Sequence, residues 1–197
     1  MKKISLITVC LLLIVLCFSA CANSQRLTNL TIVQAIGLDE KDGKVTVTLQ
    51  YLDVNKGSGT SEGLTGNITA CTEGSGGTIL KAIENAGDTL PDKLFFDQNK
   101  IIVLGSGFEK QHREELIDYM ESRRHSRPDV LMAQSTSTAK EIIQNSQKGA
   151  RVPAESLCEQ LKRNDAVFNV NDYLNDYQQN SLPKIRAGKD YTVVIAN

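Results

Sequence analysis

The chain has no tryptophan, and only five phenylalanines and five tyrosines among its 197 residues. Surfaces that stack sugars or bases are built from aromatic rings, so such a platform is not expected. An excess of positive charge is also missing, with 22 Lys and Arg against 23 Asp and Glu. Without a basic face to neutralise phosphates, no nucleic-acid partner is expected either. Histidine is nearly absent. His112 and His125 lie in polar, charged surroundings with no second cluster of ligands, and read as surface residues. There is no Gly-x-Ser-x-Gly elbow and no nucleophile with a recognisable base. The neighbours Glu114 and Glu115 point apart on a helix and read as solvated. No catalytic residue, cofactor or metal site is therefore expected, and the chain does not read as an enzyme.

Long hydrophobic runs are lacking too, with one exception at the start. Lys2 and Lys3 precede an apolar stretch over residues 4–18, which ends in Ser19-Ala20 directly before Cys21. That is the layout of a secretory signal peptide. The 15 residues fall short of the roughly 20 that a bilayer core needs. A small residue immediately before a cysteine resembles the lipobox of bacterial lipoproteins, although Phe18 stands where Leu is usual. The resemblance implies a diacylglycerol on the Cys21 thiol, with residues 1–20 removed. Cleavage after Ala22, or an uncleaved anchor, are the alternatives, and all three export the chain. Removing residues 1–20 leaves 177, one ordinary domain, with a formal charge of −3.

Of the five cysteines, Cys10 and Cys17 leave with the signal and Cys21 is the lipid site. Cys71 and Cys158 remain, and export permits a disulfide between them. Cys158 shares an apolar helical face with Ala154, Leu157 and Leu161, which favours a buried free thiol.

Residues 21–29 read as lipidated cysteine and tether, and residues 30–197 as the domain. Residues 30–38 suit a buried strand. From Lys44 the chain alternates, with Val45, Val47, Leu49 and Tyr51 on one face and Thr46, Thr48 and Gln50 on the other. Such alternation predicts a half-buried strand, and Asp42-Gly43 supplies a hairpin turn. Residues 55–77 hold seven glycines and read mainly as a flexible surface loop, with a short strand or edge over 67–72. The run Gly74-Ser75-Gly76-Gly77 lacks the Gly-Lys-Ser/Thr ending of a phosphate loop.

Thr78 caps a predicted helix ended by Gly87. Residues 101–104 predict a strand covered on both faces, followed by a helix with Leu116, Ile117 and Met120 inward. Residues 130–133 predict a second interior strand. Thr138 and Glu141 form a capping-box pattern, Pro153 opens a further helix, and Asn171 caps a short one through Tyr177. Residues 191–195 predict a last strand. The order implies an α+β fold: a mixed β-sheet with a starting β-hairpin and at least one parallel strand pair, covered by helices.

Two surface features are candidate contacts. Arg123, Arg124 and Arg127, around His125, form the densest basic patch. It complements a helix C-terminus, and in a tethered domain it could meet anionic lipid headgroups. Phe95 and Phe96 cannot both face inward from one strand, so one of them is a candidate partner contact beside polar Gln98 and Asn99.

These segments, in order, resemble the N-terminal domain of the Ger(x)C lipoproteins, the C subunits of bacterial spore germinant receptors. The resemblance is carried by Cys21, by the strand from Leu30 ending in Gly37-Leu38-Asp39, and by the alternating strand from Lys44. Further matches are Gly77-Thr78 before a helix ending in Ala86-Gly87, the block around Phe96, Lys100, Ile101 and Ile102, Ala139-Lys140-Glu141-Ile142, and Leu182-Pro183. Gln98 stands near the family's histidine, and the family's Trp-containing motif after the cysteine is absent. Family members generally run on into further domains, which are not expected in this chain.

The resemblance implies a non-catalytic lipoprotein on the outer face of the bacterial cytoplasmic membrane (the inner spore membrane in the family). It would be held by the lipid on Cys21 and would partner integral-membrane receptor subunits in nutrient-triggered germination. A ligand-binding lipoprotein of a transport system is the alternative, although such proteins usually need two lobes around a cleft.

Overall fold

In the computed structural model the described residues are 30–53, 67–122, 127–146, 150–176, 182–188 and 193–195. The expected signal peptide, Cys21 and the tether lie outside them, as do Arg123, Arg124, His125, Tyr177 and Tyr191. Met1–Leu30 and Thr31–Asn197 are separate units, and the fold is that of the second. Among the described residues no helix is long and apolar enough to cross a membrane.

The predicted hairpin is present. β1 (Leu30–Lys41) pairs antiparallel with β2 (Lys44–Leu52). Asp42 and Gly43 both take positive φ, 55° and 74°, the backbone twist that a two-residue hairpin turn requires. β3 (Thr69–Gly76) extends this meander antiparallel to β2. Next come α1 (Ile79–Gly87), β4 (Lys93–Phe95), β5 (Ile101–Leu104), α2 (Phe108–Glu121) and β6 (Leu131–Ser135). α3 (Ala139–Ser146), α4 (Pro153–Arg163), α5 (Val170–Asp176), β7 (Lys184–Ala187) and β8 (Val193–Ile195) complete the order.

The eight strands form one sheet in the order β3-β2-β1-β5-β6-β7-β8, with β4 also on β1. β1, β5, β6 and β7 run parallel, and antiparallel pairs flank them. The α+β class, the starting hairpin and the parallel pairing are as expected.

Alternation along the central strands divides the core. Ile36, Leu38, Ile102, Leu104 and Met132 face α1, α2 and α5. Ala35, Ile101, Val103, Leu131 and Ala133 face α3 and α4. All four residues of β5 are fully buried, as a strand covered on both sides must be.

Four expectations need correction. The glycine-rich segment ending at Gly77 is not simply a surface loop, because β3 runs through Gly74 to Gly76. α1 lies directly on that strand. A Cβ at Gly74 would collide with the backbone of Ala82 and Ala86, and one at Gly76 would stand 2.7 Å from the Ala82 nitrogen. Glycine is there to let a helix approach. Second, β2 is not half-buried throughout, since Thr48 and Gln50 are as fully covered as Val47 and Leu49. Third, the proline segment at residues 182–185 leads straight into β7, and Lys93–Phe95 forms the unforeseen short strand β4. Fourth, α5 is capped by Asn169 and not by Asn171. Asn169 Oδ1 accepts from Asp172 N at 2.9 Å while Asn169 N donates to Asp172 Oδ2 at 3.0 Å.

Candidate functional site

Three helix N-termini are held by side chains from distant parts of the chain. Asp39, at the end of β1, is 8% exposed. Its Oδ1 accepts from Ala139 N at 2.7 Å and its Oδ2 from Lys140 N at 3.0 Å, so one carboxylate closes the first turn of α3. A carboxylate there meets the positive end of the helix dipole and two amides with no partner within the helix. Gly105 leaves the space, because a Cβ at that position would strike the Asp39 carboxylate. Burial raises the Asp39 pKa above its ordinary 3.8, opposed by the two backbone hydrogen bonds and by Lys140. Both oxygens are occupied, so this carboxyl anchors a helix and is not poised as an acid or base.

Gln50 does the same for α4, its Oε1 accepting from Ala154 N at 3.0 Å. Glu115 reaches from α2 to α1, accepting from Ile79 N at 2.5 Å, and lies 3.4 Å from His112 Nδ1. Glu115 was expected to be solvated with Glu114. Only Glu114 is exposed, because α2 packs beside the start of α1. Thr78 adds the local cap of α1, and Thr138 that of α3, as their positions predicted.

A second polar cluster lies between α2 and α5. The Tyr173 hydroxyl donates to Glu109 Oε1 at 3.2 Å, and Arg113 Nη2 donates to the same oxygen at 2.7 Å. Burial and the adjacent Glu109 carboxylate push the Tyr173 hydroxyl well above the usual tyrosine range. The guanidinium compensates the buried carboxylate, which makes this an interhelical tie.

The sequence-derived contact residues fall in different environments. Phe96 is 5% exposed and belongs to the core under α1 and α2, whereas Phe95 is half-buried at the end of β4. Neighbouring side chains alternate, and the inward place has gone to Phe96. The contact expectation therefore narrows to Phe95. Arg127 is drawn back onto the protein: its Nη1 donates to the Asp97 carbonyl at 2.8 Å, and Nε and Nη2 grip both Asp129 oxygens at 3.1 and 3.0 Å. It braces the turn before β5 against the segment entering β6.

No disulfide joins Cys71 and Cys158. Cys158 lies on the inner side of α4, where its thiol donates to the Lys100 carbonyl at 3.6 Å and burial raises its pKa to about 11. Among the described residues no group of three or more His, Cys, Asp and Glu side chains could hold a metal ion.

The structure is thus an α+β domain with a mixed sheet between two helical layers, in which the buried Asp39, Gln50 and Glu109 fix helices. A family model described as the spore germination protein N-terminal domain matches residues 23–186, and the chain belongs to that family. No curated protein and no solved structure gives a match. Membership places the chain in spore germination.

Proposed function

We propose that the chain is a lipid-anchored, non-catalytic subunit of a spore germinant receptor, tethered through Cys21 to the outer face of the membrane that carries the receptor. The carrying observation is the family match. It begins at residue 23, two positions after the cysteine that ends the apolar leader. A lipid on Cys21 would then stand a short tether before β1 and hold the domain close to integral-membrane partners. Firm attachment needs more than one acyl chain, which a diacylglycerol on the thiol provides. Phe95, half-buried at the end of β4, is the side chain proposed to meet those partners.

The test is palmitate labelling of spore-forming cells that make either the wild-type chain or Cys21→Ser. The expected result is label on the wild type alone, release of the Ser variant from membranes, and loss of the germination response in its spores. A Ser variant that stays on the membrane and supports germination would overturn the anchored-subunit reading.

A further inference from the structure

One apolar strip lies outside both halves of the core, and strand alternation defines it. Val33 faces the layer of α1, α2 and α5, so its neighbour Ile32 faces the other side of the sheet. On β2 the Gln50 side chain turns toward α4, and Leu52, two residues on, shares that side. On β4 Leu94 packs against the core of the first side, which turns Phe95 the same way as Leu52. β2 and β4 both pair with β1, so Phe95, Ile32 and Leu52 occupy one face of three neighbouring strands. All three are half-buried, and none is among the side chains packed beneath α3 and α4. α4 begins over Gln50 and passes Lys100, while α3 crosses at Gly37. The strip, at the starting end of β1, lies past the margin of that helical layer.

What meets the strip follows from where the chain enters. Ile32 stands eleven residues after Cys21, a separation that spans at most about 40 Å. The β1–β2 turn at Asp42-Gly43 is ten residues further along the chain, about 33 Å beyond the strip. A lipid on Cys21 therefore brings this end of the hairpin to the bilayer before the turn. The charges described at this end are balanced, Lys93 and Arg151 standing against Asp53 and Asp92. Balanced charge gives no strong pull toward anionic headgroups. An apolar strip gains instead by entering the boundary between headgroups and acyl chains, where buried area counts. It also carries no polar side chain to fix a register, which a protein partner uses and a fluid bilayer does not need.

We propose that Ile32 and Leu52 rest in the headgroup boundary of the bilayer, with the β1–β2 turn directed away from it. This rests on the anchoring reading and deepens it, by giving the domain an orientation. Phe95, on the same strip, then lies at bilayer level, within reach of integral-membrane partners.

The chain has no tryptophan, so a single introduced one reports its own surroundings. Leu52→Trp is the reporter on the strip, and Phe95→Trp, a smaller change of shape, is a second one there. Lys44→Trp, exposed beside the far turn, is the control. Each full chain is purified from a spore-forming host and placed in phosphatidylcholine vesicles, with or without lipid brominated near the headgroup end of its acyl chains. Flotation of the same vesicles reports attachment. All three variants should float. Brominated lipid should quench the emission of Leu52→Trp and Phe95→Trp and leave that of Lys44→Trp unchanged. Raising the salt should not reverse the quenching, because no charge pairing holds the strip. A chain that fails to float would overturn the anchoring reading and this orientation with it. Floating chains in which strip and turn respond alike, or only the turn is quenched, would overturn the orientation alone. So would quenching that salt abolishes while the chains still float.

Discussion

On the face covered by α1, α2 and α5, the strands offer Val45, Val47, Leu49, Ile36 and Leu104 to a helical layer rich in large side chains, among them Phe108, Leu116, Met120 and Tyr173. The opposite face is built differently. There the strands present Ala35, Gly37 and Ala133 beside Ile101, Val103 and Leu131, and the helices add small Ala139 and Ala154 beside Ile142, Ile143 and Leu157. The approach is close enough that a Cβ at Gly37 would lie 2.7 Å from Ile143 and 3.2 Å from Ala139. At that range short polar side chains on the strands can reach helix amides, and Asp39 and Gln50 do so. Both faces thus carry directed bonds, but on the first they run between helices, from Ile79 N to Glu115 and from Tyr173 to Glu109, while on the second they run from helix amides to strand side chains. Volume can be redistributed among neighbours. A buried amide that loses its acceptor has no such remedy.

Truncating a large ring should be the most damaging change. Phe96→Ala is expected to cost about 3–5 kcal/mol in urea unfolding. Phe95→Ala should cost about 1 kcal/mol or less, while weakening co-purification with membrane partners. Equal losses at the two positions would mean that Phe95 is also core and would remove it as a contact.

Asp39→Ala comes next, at about 2–3 kcal/mol, because it orphans two amides at the start of α3. A loss matching that of Phe96→Ala would put directed bonds on a par with volume. The same residue gives a pH signature. Burial raises the folded-state pKa of Asp39 above 3.8. Its contribution is therefore fully present below that value and is lost as the pH rises through the folded-state pKa. Asp39→Asn lacks this titration. The stability of the wild type relative to Asp39→Asn should fall across that window and then stay level. A difference that grows with pH would show that the amide bonds outweigh desolvation.

Gln50→Leu should be milder, about 1 kcal/mol, because it removes the α4 cap together with Nε2, which has no partner among the described residues. Thermal unfolding resolves such a shift. Arg127→Gln should be the smallest, about 0.5 kcal/mol by the same measurement, since its ion pair with Asp129 is largely exposed.

What the sequence made legible was whatever is decided locally. The β1–β2 hairpin followed from alternation and one dipeptide, and the starts of α1, α3 and α4 followed from Thr78, Thr138 and Pro153. What it hid was decided at a distance. Gln50 reads as solvent-facing until α4 arrives over it, and Gly74 reads as loop until α1 is laid across β3. β7 carries one buried side chain, Ile185, among exposed or half-exposed neighbours, so it has almost no periodic signal. The candidate sites divide the same way. The phenylalanine alternation could be foreseen, though not which ring turned inward. The strip of Ile32, Leu52 and Phe95 could not, because it exists only once β2 and β4 have paired with β1.

The bond between Asp39 and Ala139 joins residues 100 apart. β1 emerges first among the described strands, yet in the finished sheet it lies between β2 and β5. During synthesis only the β1–β2–β3 meander can assemble early, and one side of β1 then waits as an open edge until the residues of β4 and β5 appear. Open edges recruit other chains, and pairings across such separations form slowly because loop closure must come first. The interval between completing β3 and delivering β5 is therefore when a newborn copy of this domain is most exposed to joining the wrong neighbour.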